Sequence, residues 1–271
     1  MMFSTEEIER YSRHILLKGV GTKGQKALLE SKVLIIGAGG LGAPAAMYLA
    51  AAGVGTIGIV DDDKVELSNL QRQIIHKTGT VGLNKADSAG RTIHEINPGI
   101  CVKAYPVRIT PENIMPVIQE YDFVIDGVDN FPTKFLINDA CVIAGKPFSH
   151  GGILQFEGQL MTYVPQKGPC YRCIFEGIPP EDAVPSCSQA GVLGAMAGII
   201  GSLQALEALK YILEIGDLLV GRILVFDGLK MTFRTVTYRS ASEECKVCGS
   251  LPEITDVIKN ADQYTQAGCG L

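Results

Sequence analysis

The chain has 271 residues, of which 46% are hydrophobic, and a net charge of −5 with Lys and Arg scattered rather than massed. These values fit an ordinary globular protein with a sizeable core, and give no electrostatic footprint for nucleic acid or an anionic membrane. Eight cysteines would suggest disulfides in a small secreted protein, but the opening "MMFSTEEIER" has no basic start and no apolar core. A cytoplasmic chain is expected, its cysteines serving metal or redox chemistry.

The segment "STEEIERYSRHILL" begins with a capping box from Ser4 to Glu7 and sets Ile8, Tyr11 and Ile15 on one helical face, predicting an N-terminal arm over about residues 1–20. "KVLIIGAGGLGAPAAMYLAAAGVGTIGIVD" then supplies a buried strand, a glycine turn, a helix with Pro44 in its first turn and a second buried strand. That is a βαβ unit with a right-handed parallel crossover. A helix from Lys85 to Ile96, a strand from Cys101 to Tyr105, a helix after Pro111 and the strand "DFVIDG" continue the alternation.

After His150 the texture changes to "GGILQFEGQLMTYV" and "GRILVFDGLKMTFRTVTYR", whose short alternating runs predict antiparallel strands. The expected fold is α/β, a doubly wound, mostly parallel Rossmann-like sheet extended by antiparallel strands. A single domain should cover residues 1–271, with a flexible tail over about 253–271 that contains Cys269. Cys101 and Cys141 read as buried. The charge-free run "AGVLGAMAGIIGSLQAL" has the composition of a membrane span, but Gly191, Gly194, Gly198 and Gly201 with Glu207 and Lys210 at helical spacing favour a core or interface helix.

Gly37, Gly39 and Gly42 form G-x-G-x-x-G between a strand and a helix, where backbone N–H groups at the helix start can hold a phosphate. Asp61 ends the next strand, where such folds place an acid on a ribose hydroxyl. A glycine turn serving only helix packing gives the same spacing, and the fingerprint does not distinguish NAD from ATP. Asn69, Arg72 and Gln73 on one short helix or turn, with Lys85 on the next helix, tip the reading toward phosphates, because hydride transfer has no need of an arginine and a lysine there. Each taken singly is compatible with a solvated surface charge.

The strand "DFVIDGVDN" leaves Asp126, Asp129 and Asn130 at the carboxyl edge of the sheet, where a magnesium ion is expected and Asp129 alone could hold it. For Asp126 a cap on the following helix and metal ligation stand as equal alternatives. Cys170 and Cys173 in "CYRC" and Cys245 and Cys248 in "CKVC" are two C-x-x-C pairs, a tetrathiolate zinc pattern. Their wide separation predicts a structural site tying the C-terminal strands to a mid-chain loop, with reduced thiols or two redox pairs as the alternative. Cys187 in "AVPSCSQAG" stands outside both pairs, near a helix start that can activate a thiol.

Taken in order, "RYSRHILL", "GAGGLG", "VDDDKVELSNLQRQ", "DGVDN", "CYRC", "PSCSQAGVLG" and "CKVC" resemble the ubiquitin-activating superfamily, and more narrowly its sulfur-carrier adenylyltransferases of the MoeB/ThiF type. The resemblance implies that the C-terminal glycine carboxylate of a ubiquitin-like sulfur-carrier protein attacks the α-phosphate of ATP, giving an acyl-adenylate and pyrophosphate. It implies a glycine loop of Gly37, Gly39, Gly40 and Gly42 in the ATP site. Asp61 and Asp63 would face the ribose, Asn69, Arg72, Gln73 and Lys85 the phosphates, and Asp129 with Asn130 beside it the Mg²⁺. Arg13 matches an arginine that reaches the other subunit's site, which implies a homodimer, and Cys187 matches a cysteine that handles activated glycine or sulfur in some relatives.

Zn²⁺ on the four paired cysteines completes the implied cofactors. Some relatives append a rhodanese domain; here the chain ends soon after Cys248, so a separate sulfur donor of the cysteine desulfurase or rhodanese type is expected. The carrier could serve molybdopterin, thiamine or a related product. Competing readings are a non-catalytic partner subunit of the same fold, an enzyme adenylylating a small molecule or a tRNA base, and a nicotinamide dehydrogenase. The presence of Arg13, Arg72, Lys85 and Asp129 argues against the non-catalytic subunit.

Overall fold

The computed structural model of the chain describes residues 3–175, 177–180, 190–238 and 240–265. An N-terminal arm of α1 (Thr5–Arg10), α2 (Ser12–Ile15) and α3 (Gly21–Glu30) leads into β1 (Lys32–Ile36), α4 (Gly42–Ala52) and β2 (Thr56–Val60). Next come α5 (Lys85–Ile96), β3 (Cys101–Tyr105), α6 (Ile114–Gln119), β4 (Phe123–Asp126) and α7 (Phe131–Ile143). The second half holds β5 (Phe148–Leu154), β6 (Glu157–Tyr163), α8 (Tyr171–Phe175), α9 (Gly194–Leu213), β7 (Arg222–Asp227) and β8 (Thr232–Thr237).

All strands join one eight-stranded sheet in the order β3-β2-β1-β4-β5-β6-β7-β8. The first five strands of that order pair in parallel, and β6, β7 and β8 are added antiparallel, as the change of texture after His150 predicts. The βαβ crossovers cover both faces, so the central strands read as continuous apolar runs, and alternate residues enter different cores. Val33 and Ile35 of β1 pack with Leu49, Ala89 and Ala205 on one face, while Leu34 and Ile36 pack with Phe135, Tyr121 and Phe148 on the other.

The capping box is present, with Ser4 and Glu7 exchanging their bonds, but the expected helical face is only partly used. Tyr11 is buried and receives a hydrogen bond from Asn97, whereas Ile8 is exposed. The chain turns at Tyr11 between α1 and α2, so the single face that a continuous helix would present is broken.

Helix α9 is long and apolar enough to cross a membrane by length and composition alone. One part of its surface packs into the protein, with Met196, Ala197, Ile200 and Gly201 buried. Gln204 donates to the carbonyls of Asp126 (2.8 Å) and Ser149 (3.0 Å), and Glu207 accepts from Thr162 Oγ1 (2.6 Å) and the Leu219 N–H (2.7 Å). Gly201 lets α9 approach α4: a Cβ there would sit 2.2 Å from the Leu41 carbonyl oxygen.

Two expectations about burial are corrected. Cys101 is exposed, because β3 is the edge strand of the sheet, whereas Cys141 is buried as expected. The tail does not loosen at residue 253: Ile254, Val257 and Tyr264 are buried against α7, and the Tyr264 hydroxyl donates to Asp139 Oδ2 at 2.8 Å. Cys187 and Cys269 lie outside the described residues.

Candidate active site

The strand order reverses between β1 and β4, and the chain leaves both strands at their carboxyl ends into one cleft, the place where open α/β sheets bind ligands. The cleft measures about 1130 Å³. Its floor is the glycine loop. Gly37 has φ +96°, a conformation that favours glycine, and packs against Gly127 after β4, where a Cβ would lie 2.8 Å from the Gly127 carbonyl oxygen. Gly42 closes the turn behind it, since a Cβ there would lie 1.8 Å from the Gly37 carbonyl oxygen.

The loop is anchored through Ala38, whose N–H donates to Asp61 Oδ2 at 2.8 Å. Asp61 Oδ1 accepts from the Asp63 N–H at 2.9 Å, and burial raises the Asp61 pKa against the lowering influence of Lys85. The N–H groups of Gly39, Gly40 and Leu41, at the start of α4, have no acceptor among the described residues. These are the groups a bound phosphate would meet.

Gly37, Gly39, Gly40, Asp61, Asp63, Gln73, Lys85, Asp129 and Asn130 all line the cleft. Lys85 opens α5, which is capped by Asn84, and its nearly buried ammonium pairs with Asp63 Oδ2 at 2.7 Å. Gln73 Oε1 is buried with no partner among the described residues. Asp129 is exposed on the wall with no partner among the described residues, which leaves its carboxylate available to a ligand. Asn130 is spent locally: its side chain accepts from the Thr133 N–H and caps α7.

Four expected residues stand off the cleft wall. Asn69 sits in a 3₁₀ turn (Leu67–Asn69), where its Oδ1 accepts the Glu66 N–H at 3.1 Å. Arg72 runs its stem beside Gly40 but donates from its guanidinium to the Ser68 carbonyl at 3.2 Å. Gly42 serves the turn rather than the wall, and Arg13 is exposed on α2.

Asp126 is neither of the things expected of it. It is buried in a charge-paired cluster, 3.1 Å from Lys134 Nζ of α7 and 2.7 Å from His150 Nδ1 of β5. Burial opposes its ionised form, yet Lys134 and the His150 bond outweigh that and hold its pKa below the usual carboxylate value. Lys134 also donates to the Gly151 carbonyl at 2.9 Å, so the cluster is closed except for His150 Nε2, which has no partner among the described residues. His150 lies against Tyr171, and burial lowers its pKa. Neither Lys134 nor His150 stood out in the sequence, because they arrive from different elements.

The four paired cysteines converge outside the cleft lining. Their sulfurs all lie within 4.8 Å of one another, with separations of 3.9 Å (Cys170 to Cys173), 3.6 Å (Cys170 to Cys245) and 3.3 Å (Cys173 to Cys248). A zinc ion with Zn–S bonds of about 2.3 Å sets tetrahedral sulfurs about 3.8 Å apart. The donor set therefore fits zinc. The neighbouring Arg172 pairs with Asp139 Oδ1 at 2.8 Å and lies over Phe135, and Asp139 also receives Tyr264, so the cluster and the C-terminal segment share one buried anchor.

Residues 11–247 match the ThiF family. Adenylyltransferase and sulfurtransferase MOCS3 of Dictyostelium discoideum is 49% identical over 96% of this chain, which spans 60% of that relative's length. The sulfur carrier protein adenylyltransferase of Thermus thermophilus is 46% identical over the whole of both chains. A solved structure of E. coli MccB with MccA-N7isoASN superposes with a TM-score of 0.79 at 24% identity, covering 92% of this chain and 76% of that one, and shares the fold.

Proposed function

The chain belongs to the ThiF family, and from that premise we propose that it adenylylates the C-terminal carboxylate of a ubiquitin-like sulfur-carrier protein with ATP and releases pyrophosphate. The observation that carries this reading is the cleft itself: N–H groups of Gly39, Gly40 and Leu41 on its floor with no acceptor among the described residues, and Lys85 and Asp129 on its walls. That combination suits a polyphosphate and serves no purpose in hydride transfer. The order of motifs, through the resemblance it carries, points to the same activity, and the names of the relatives support it.

In the reaction a carboxylate oxygen of the carrier forms a bond to the α-phosphorus. The bond from that phosphorus to the bridging oxygen breaks, and its electron pair leaves with pyrophosphate. Both partners are anions, so the protein's task is to bring them together and neutralise charge; no protein nucleophile takes part. The glycine-loop N–H groups and Lys85 act on the phosphates, while Asp61, already oriented by Ala38, faces the ribose. Asp129 would hold Mg²⁺, which neutralises polyphosphate charge.

Arg72 and Asn69 serve this site after a side-chain turn of the arginine away from Ser68, or by shaping the loop from behind. Arg13, exposed and off its own cleft, is suited to reach the cleft of a second copy in a homodimer. Zinc on the four cysteines is structural. A separate donor supplies the sulfur after adenylylation, and Cys187 is the candidate thiol for that stage.

Carrier-dependent ATP–pyrophosphate exchange, assayed with sulfur carriers of the molybdopterin and thiamine type, tests the activity; exchange with neither would remove it. The shared site has its own test. Arg13→Ala and Asp129→Ala should each lower exchange at least about a hundredfold, and mixing them should restore part of it, because one site of each mixed dimer holds both intact residues. No recovery despite verified subunit exchange would leave Arg13 acting within its own chain or not at all.

A further inference from the structure

The glycine loop is held from behind on both sides of Ala38. Its N–H is taken by Asp61, and its carbonyl oxygen lies 3.0 Å from Nε2 of His76, a residue 5% exposed that no motif marked. The other ring nitrogen, Nδ1, lies 3.0 Å from the Ser88 hydroxyl on α5. A carbonyl can only accept, so Nε2 carries the ring proton. Burial, with Lys85 nearby, holds the imidazole below its usual pKa, which leaves Nδ1 bare and able to accept from Ser88. The single Ser88 proton has a second taker, Thr80 Oγ1 at 3.0 Å, so the bond to Ala38 is the one that depends on His76.

The described peptide bonds of the loop are trans, and in a trans peptide the carbonyl and the following N–H point in opposite directions. Anchoring the Ala38 carbonyl therefore turns the Gly39 N–H the other way. Gly39 lines the cleft, and its N–H has no acceptor among the described residues. Because the residue after this peptide is a glycine, little else restrains the plane from rotating. We propose that His76 is a positioning residue for nucleotide binding: it fixes the Ala38–Gly39 peptide plane so that the Gly39 N–H meets a phosphate oxygen of ATP. The inference rests on the reading of the cleft as an ATP site.

Two variants that lose the same ring separate aiming from general support. In His76→Gln the side-chain amide can place a donor near the position of Nε2, and in His76→Asn it reaches only the position of Nδ1. Calorimetry on the full chain with MgATP, and with adenosine as a probe lacking phosphates, gives the readout. His76→Asn should weaken MgATP about tenfold and adenosine less than about twofold, while His76→Gln stays within about threefold of wild type for both.

Equal losses for MgATP and adenosine would make His76 a general structural residue. Unchanged MgATP affinity in His76→Asn, or the same loss in His76→Gln, would equally overturn the assignment. Wild-type protein that binds neither probe removes the ATP-site reading before any variant is made, so the two failures are distinct. Should His76→Asn not fold, His76→Leu carries the test: it fills the space of the ring without a donor and should lower the MgATP-to-adenosine affinity ratio about fivefold, and an unchanged ratio refutes the aiming role.

Discussion

The glycine-loop cleft and the four-cysteine cluster differ in how far their polar groups are paired within the protein. Around the cleft, Gly39, Gly40 and Leu41 N–H, Gln73 Oε1 and the Asp129 carboxylate are left without partners among the described residues. Around the cysteines most polar groups turn inward, with Arg172 Nη2 the exception among the described residues: Asn138 accepts the Tyr171 N–H, Cys173 Sγ accepts the Ser242 N–H, and Asp139 takes both Arg172 Nε and Tyr264. Unpaired groups cost stability until something binds them, whereas a closed set contributes stability at once. The cleft thus leaves groups available to a ligand, whereas the cysteine cluster is compatible with a zinc ion.

The strongest way to break this comparison is to open the cysteine cluster. Cys245→Ser should lose the metal and lower the melting temperature by about 10 °C or more, since binding at a tetrathiolate site is folding free energy. Elemental analysis should find one zinc per wild-type chain. Metal-free wild-type protein with an unchanged melt would show that the cysteines are only packed thiols.

The anchor beside the cluster gives the next effect. Asp139→Ala leaves the buried Arg172 guanidinium and the Tyr264 hydroxyl without their acceptor, at an expected cost of about 3–5 kcal/mol in urea unfolding. Adenosine affinity of the folded variant should stay unchanged. A loss below about 1 kcal/mol would mean that the segment after residue 253 contributes little, as the sequence had suggested.

At the cleft the sign of the effects reverses, with chemistry suffering and the fold surviving. Lys85→Met should reduce carrier-dependent exchange about 10²–10³-fold while the melt changes little, because the lost Asp63 pairing involves a largely exposed carboxylate. Exchange within about threefold of wild type would take Lys85 out of the phosphate site.

What the sequence disclosed follows the same division. Helix α5 was legible from its periodicity, and the parallel and antiparallel strands from continuous against alternating apolar runs. The cysteine pairs announced themselves by spacing, and the cleft-lining residues mostly by motif order. What stayed hidden is whatever depends on which elements become neighbours. Asp126 read as a cap or a ligand because Lys134 and His150 reach it from α7 and β5. Cys101 read as core because nothing local marks β3 as the edge. His76 is a lone histidine in "QIIHKTG", and only its position after the Asn69–Gln73 turn and before Lys85 could have hinted at a role behind the glycine loop.

The smallest effect comes through protons. His76 behind the glycine loop and His150 beside Asp126 are both buried, and burial, the largest cause for each, lowers their pKa. An unfolded histidine takes its proton near about pH 6.5, so below that value the unfolded state binds more protons than the folded one and stability falls as the pH drops. Each group sets a ceiling of about 1.4 kcal/mol on the loss one pH unit below its unfolded value. Asp126, with its folded pKa lowered, adds to the loss only near and below the carboxylate range. Asp61, with its pKa raised, acts in the opposite direction as it takes up a proton. Between about pH 7.5 and 5.5 the two histidines should therefore contribute, alongside the cysteine thiolates, whose protonation weakens metal binding over the same range. Urea unfolding across that range should show wild-type stability falling, with His76→Gln and His150→Gln each removing part of the slope and the double variant more than either. A slope that survives intact in the double variant would assign the acid sensitivity elsewhere and leave both rings as ordinary packing groups.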